Sequence, residues 1–84
     1  MAGSFQIRGK SQHKRYINPP SNCDICKEKI ENTFIDGKTR RDGRWANMCS
    51  DCFADNGVGI GLGEGQVYER KTIEDEEVFI KIAG

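Results

Sequence analysis

Cys23-Asp24-Ile25-Cys26 and Cys49-Ser50-Asp51-Cys52 are the two stretches on which the fold turns. Each sets two thiols three residues apart, and 22 residues separate the pairs. A Cys-x2-Cys turn is tight enough for both sulfurs to reach one ion while backbone N–H groups face the thiolates. Four soft sulfur donors in a tetrahedron suit Zn²⁺ or iron. Disulfides would need an oxidising compartment, which nothing in the chain indicates. A redox Cys-x-x-Cys would need a thioredoxin-like βαβ context, and none is present. An iron–sulfur or rubredoxin-like site shares the spacing and is the alternative ion chemistry. The single histidine, His13, lies ten residues before the first knuckle. Four cysteines already complete a tetrahedron, so His13 reads as a surface residue. The expectation is one structural Zn²⁺ held by Cys23, Cys26, Cys49 and Cys52.

The rest of the composition explains why a metal is needed. The chain has 84 residues, 36% hydrophobic and 31% charged, so it forms one domain at most and buries little. Small scaffolds of this kind need a staple. No run approaches the ~20 apolar residues that cross a bilayer. The start, MAGSFQIRGKSQHKRY, lacks the apolar core of a signal peptide. A cytoplasmic protein without membrane contact is the expectation.

Thirteen basic residues balance thirteen acidic ones, but unevenly. Residues 1–20 carry Arg8, Lys10, Lys14 and Arg15 and no acid, which reads as a basic N-terminal arm ending at Pro19-Pro20. Within it Ser4–Arg8 alternates polar and apolar, as a short strand does. Residues 21–72 form the four-cysteine domain. Thr33-Phe34-Ile35 reads as a strand, and the turn dipeptides Asp36-Gly37 and Asp42-Gly43 lead to Arg44–Met48, which returns toward the metal as the second arm of a hairpin. Phe53-Ala54-Asp55 continues the second knuckle as a helical turn, with Asn56-Gly57 as a left-handed stop. Residues 57–65 place glycine at every odd position, predicting an extended segment whose bare face packs on a backbone or ring. Residues 66–72 suit a strand. Residues 73–84 hold the acidic turn Glu74–Glu77 and a last strand with Val78, Ile80 and Ile82 on one face. Trp45 is expected as a core plug against Phe34 and Phe53. The fold class is a small β-rich, zinc-stabilised domain. It is a zinc ribbon or a short-helix treble clef with extended N- and C-terminal arms, and the choice turns on whether Cys49–Asp55 is helical.

Enzyme chemistry finds no support. No register of the glycine run satisfies G-x-G-x-x-G, and Gly37-Lys38-Thr39 lacks the earlier glycine of a Walker loop, where Asn32 stands. A catalytic zinc keeps an open coordination position, which four thiolates remove. The chain is therefore read as non-catalytic, with no small-molecule substrate.

Phe34-Ile35-Asp36-Gly37-Lys38-Thr39, then Trp45-Ala46-Asn47-Met48-Cys49, then the alternating glycines leading to Gln66-Val67-Tyr68 resemble a group of small zinc-binding proteins of tailed bacteriophages. The resemblance covers about residues 23–70. It implies a phage-associated protein made in the bacterial host cytoplasm, either carried in the virion or acting in the host. Two functions are expected to compete. One is a protein-interaction module, a minor virion or assembly component whose partner is another protein or its own copies. The other is a nucleic-acid-binding zinc ribbon. Candidate partner-binding residues for both are Arg8, Lys10, Lys14 and Arg15 in the arm and Lys38, Arg40, Arg41 and Arg44 around the hairpin. Phosphate contacts and aromatic stacking would serve nucleic acid. A sequence pI near 6.6 argues against a dedicated binder, for which values above about 9 are usual.

Overall fold

A computed structural model describes Arg15, Tyr16 and residues 18–84. The expectations placed on Ser4–Arg8, Lys10, His13 and Lys14 lie outside those residues.

Four strands and one short helix follow the first knuckle: β1 (Thr33–Lys38), β2 (Trp45–Met48), α1 (Ser50–Asn56), β3 (Gly65–Ile73) and β4 (Glu76–Ala83). The strands make one sheet in the order β2-β1-β3-β4, antiparallel at every pairing. Hairpins make the outer two pairings. The turn between β1 and β2 closes on Gly43, whose φ is 75° and whose N–H donates to the Thr39 carbonyl at 2.9 Å. The Thr39 hydroxyl donates to Asp42 Oδ1 at 2.7 Å and the Arg44 N–H to the same oxygen at 3.1 Å. The Thr39 bond first, then the Arg44 N–H, holds the Asp42 carboxyl below the usual carboxylate range.

The sheet has two differently dressed faces. On one, Phe34, Tyr68 and Phe79 gather with Ile30, and Tyr16 packs against them. Phe34 stacks on Tyr68 at 5.2 Å and meets Phe79 and Tyr16 edge-on at 5.1 and 5.0 Å. Arg70 covers the outer side of Phe79, its guanidinium carbon 4.9 Å from the ring centroid. Aromatic pairs in these geometries add to their area burial, which matters in a core of so few residues.

The other face receives α1. Gly37 and Gly65 pair directly across β1 and β3, leaving a floor without side chains. The Phe53 ring of α1 sits over that floor, 3.3 Å from where a Gly37 Cβ would stand. A Cβ on Gly57 would overlap the same ring, and one on Gly65 would run into the Gly59 carbonyl oxygen at 2.5 Å. These glycines thus permit a close approach, and the ring they receive is Phe53; of the alternating run only Gly57 and Gly65 meet it, with Gly37 of β1.

Several expectations are corrected. Residues 57–65 form a compact loop rather than an extended segment: Gly61 and Gly65 bond each other through both N–H groups, at 2.8 and 3.0 Å, and the Lys38 N–H donates to the Glu64 carbonyl at 2.8 Å. Gly57 ends α1 in an extended conformation, φ −81° and ψ 161°, not a left-handed one. Its N–H still caps the helix by donating to the Phe53 carbonyl at 2.7 Å. The C-terminal segment is not an arm. It pairs with β3 from Glu76 to Ala83, because Val78 and Phe79 supply apolar surface that the sheet can bury. Both are buried, whereas Ile82 is 52% exposed, so the inward face is not Val78, Ile80 and Ile82. Arg15 bridges Ile80, and the Tyr16 N–H donates to the Phe79 carbonyl at 2.9 Å. The end of the basic segment therefore lies against β4. Among the described residues no helix is long and apolar enough to cross a membrane.

Candidate metal centre

The first cysteine pair sits in a knuckle closed by its own backbone. Asn22 bridges Lys29, the Cys23 N–H donates to the Glu28 carbonyl at 2.9 Å and the Lys27 N–H to the Cys23 carbonyl at 3.0 Å. The chain reverses at Lys27, whose φ is 69°, and the Asn22 side-chain amide donates to its carbonyl at 2.9 Å. A non-glycine residue in this region is uncommon, so the knuckle accepts some strain to turn both sulfurs toward one point.

Asp24 fastens the knuckle to the sheet. Its N–H donates to the Asn47 carbonyl at 2.8 Å, and its carboxylate accepts the Asn47 N–H at 2.8 Å. These two bonds occupy the outward polar groups of Asn47 and partly cover the free edge of β2, which would otherwise invite strand pairing.

The second pair lies at the start of α1. Cys49 is the N-cap residue, and its sulfur accepts the Cys52 N–H at 3.5 Å. A sulfur here replaces the usual oxygen cap. Cys23 Sγ accepts N–H groups from Ile25 and Cys49, both at 3.4 Å. All four sulfurs lie within 4.8 Å of one another, with Cys26 and Cys49 at 3.9 Å. A Zn–S bond of about 2.3 Å implies sulfur separations near 3.8 Å in a tetrahedron. The donor set thus fits one tetrahedral metal ion. Cys23 is buried while Cys26 is exposed, so the ion would sit with one side toward the interior and one toward water.

The thiols do not share charge comfortably without a cation. Burial works to raise Cys23, but N–H groups of Cys26, Cys49 and Ile25 outweigh it and bring the thiol down to about 6. Cys52 is pushed up to about 12 by burial and by the three neighbouring thiols. A divalent ion resolves this crowding, since every bound cysteine is a thiolate.

The structure brings the four cysteines together and, of the described candidate partner-binding residues, places Arg41 and Arg44 at one recess and Arg15, Lys38 and Arg40 away from it. Arg15 reaches toward Glu76 at 3.9 Å. Arg40 Nη2 donates to the Gly57 carbonyl at 2.8 Å, tying the hairpin turn to the end of α1. Arg44 lies 3.8 Å from Asp42 with its side chain 87% exposed. Lys38 is half-buried at the end of β1. Arg41 lines a recess of about 340 Å³ between knuckle and hairpin, together with Asp24, Ile25, Trp45, Ala46 and Asn56. Trp45, expected in the core, is 47% exposed there, and Ile25 is 43% exposed. Trp45 faces away from Met48 because the two lie three residues apart in one strand, and Met48 is the buried one.

Comparison with protein-family models, with curated proteins and with solved structures gave no match.

Proposed function

We propose that this chain is a zinc-stabilised, non-catalytic protein-interaction module of the short-helix treble-clef kind, with the Trp45 recess as its docking face. The observation that carries the reading is the placement of the chain's largest side chain. Trp45 stands half-exposed beside Ile25 at a recess, while the core is completed by Phe34, Tyr68, Phe79 and Ile30. Exposed aromatic anchors next to a concavity are what protein interfaces use. The treble-clef assignment rests on the second cysteine pair opening a helix rather than a second knuckle. The four-thiolate set would accept zinc or iron; the choice of zinc rests on the need of so small a core for a structural, redox-inert ion. The resemblance to phage zinc proteins extends the proposal to a minor virion or assembly component made in the host cytoplasm.

Nucleic-acid binding is the second reading, favoured by Trp45 lying near Arg41 and Arg44. Against it, Arg40 and Arg44 already have partners, and Asp24 and Asp42 line the same recess.

A photo-reactive residue in place of Ile25, introduced in the host cell, separates the two. The expected product is a protein crosslink, removed by protease and resistant to nuclease. A nuclease-sensitive product would establish the second reading in its place.

A further inference from the structure

The same molecule carries a recess lined in part by Ile25, Trp45 and Ala46 and a convex apolar loop. The glycine loop holds Val58, Ile60 and Leu62 outward, at 43, 41 and 93% exposure. Three exposed branched side chains on nine residues are not explained by packing, since the loop's own contacts are made by its glycines and backbone. Nor is the loop slack. The Val58 N–H donates to the Lys38 carbonyl at 3.3 Å, and the Glu64 N–H to the Gly61 carbonyl at 3.0 Å. Gly61 and Gly63, with φ of 145° and 79°, allow a turn that presents Leu62 at its tip. A preorganised apolar tip loses little entropy on docking.

The recess beside Trp45 suits such a tip. A cavity of about 150 Å³ lined by apolar side chains accommodates a benzene ring, so about 340 Å³ holds one branched aliphatic side chain and part of another. Its rim carries Arg41 and Arg44 alongside Asp24 and Asp42; Arg44 faces Asp42 at 3.8 Å, and among the described residues Arg41 is left as the cation that the Glu64 carboxylate of an entering loop would meet. Loop and recess are also neighbours. Gly57, where the loop begins, bridges Thr39, and Asn56 and Thr39 both line the recess. Adjacent complementary patches can be satisfied twice in one two-fold contact, each loop entering the other copy's recess.

We infer that the docking partner of the Trp45 recess is a second copy of this chain, whose Leu62 loop inserts beside Trp45 and Ile25 in a reciprocal dimer. This rests on the protein-interaction reading above and names its partner.

The test uses the full-length metal-bound protein in sedimentation equilibrium with Trp45 emission recorded across concentration. The expected result is a monomer–dimer equilibrium in which emission moves to the blue as dimer forms. Each dimer buries two Leu62 side chains, so Leu62→Asp should weaken association by roughly a hundredfold or more. Trp45→Ala should weaken it too, and both variants should keep their metal content and far-UV spectrum. Mixing the two variants should yield a heterodimer tighter than either homodimer, because one intact loop then meets one intact recess. A monomer at all concentrations overturns the inference, as does a dimer unaffected by either substitution. In the monomer case, a protein crosslink from position 25 would leave the interaction reading standing with another partner; its absence would remove both.

Discussion

Phe34 and Trp45 divide the labour that size alone would assign to one residue. Phe34 is fully buried and touches three other rings, whereas Trp45 faces a recess. Removing a buried phenylalanine costs about 3–5 kcal/mol through lost transfer energy and the cavity left behind, a large part of what a small domain has. Phe34→Ala should therefore leave the metal-bound protein largely unfolded at 25 °C by near-UV circular dichroism. Trp45→Ala should cost only about 1 kcal/mol in urea titrations of dilute, monomeric protein, in line with substitutions at exposed sites. Dilute protein should also show solvent-like tryptophan emission that barely moves on unfolding. A strongly blue-shifted emission in the monomer would return Trp45 to the core.

The β3–β4 hairpin turns on Glu74 and Asp75, with φ of 52° and 67°. Two successive positive φ values describe a type I′ turn, which matches the twist of the strands but prefers Asn-Gly. Glutamate in that conformation is strained, and four acids crowd the tip, of which Glu76 and Glu77 reach Arg15 and Arg70. Replacing Glu74-Asp75 by Asn-Gly should stabilise the fold by about 1 kcal/mol, read as a higher urea midpoint at unchanged slope. No gain would mean that the acidic pair makes a compensating interaction. This turn was legible in the sequence as a polar break between strands, and so were the first knuckle and a β1–β2 hairpin turning at Asp42-Gly43. Asp36-Gly37, read as a second turn, lies inside β1. The sequence leaves open whether Cys49–Asp55 is helical, and the structure places Cys49 as the N-cap of α1. Strand parity was not legible. Val78-Phe79-Ile80 is apolar at every position, so alternation could not say that Phe79 belongs to the aromatic cluster. The four-residue β2 likewise offered no period long enough to send Trp45 outward and Met48 inward. The glycine run announced a close approach but not its partner, because Gly37 and Gly65 lie 28 residues apart and meet only through the register of β1 with β3.

Neither half of the molecule is built to stand without the other. The helix has seven residues and none of them is buried, far short of the ~12–15 that an isolated helix needs even with good propensity. Phe53 on the glycine floor holds it to the sheet, and a metal on Cys49 and Cys52 would hold its start. The opposite face has a cluster of four buried residues with Tyr16 against it, on a sheet whose outer strand β2 is fastened by Asp24 of the knuckle. β1 serves both faces, giving Phe34 to the aromatic cluster and Ile35 and Gly37 to the helix side. Loss of the metal frees the knuckle, and with it Asp24, β2 and α1. Ile35 and Met48, both buried, are then uncovered, and β1 keeps packing on one side only. A three-stranded remainder with one small aromatic cluster is marginal in water. Unfolding should therefore be a single event. Purified protein should contain about one zinc per chain, since a closed structural site contributes folding free energy directly. Chelation under reducing conditions should remove hydrogen-exchange protection from β3 and β4 as completely as from β2 and α1. Serine at Cys23, Cys49 or Cys52 should do the same without chelator. Protection that survives in Tyr68–Phe79 after the metal is gone would show that the aromatic face folds by itself, and would confine the role of the ion to the knuckle, β2 and the helix.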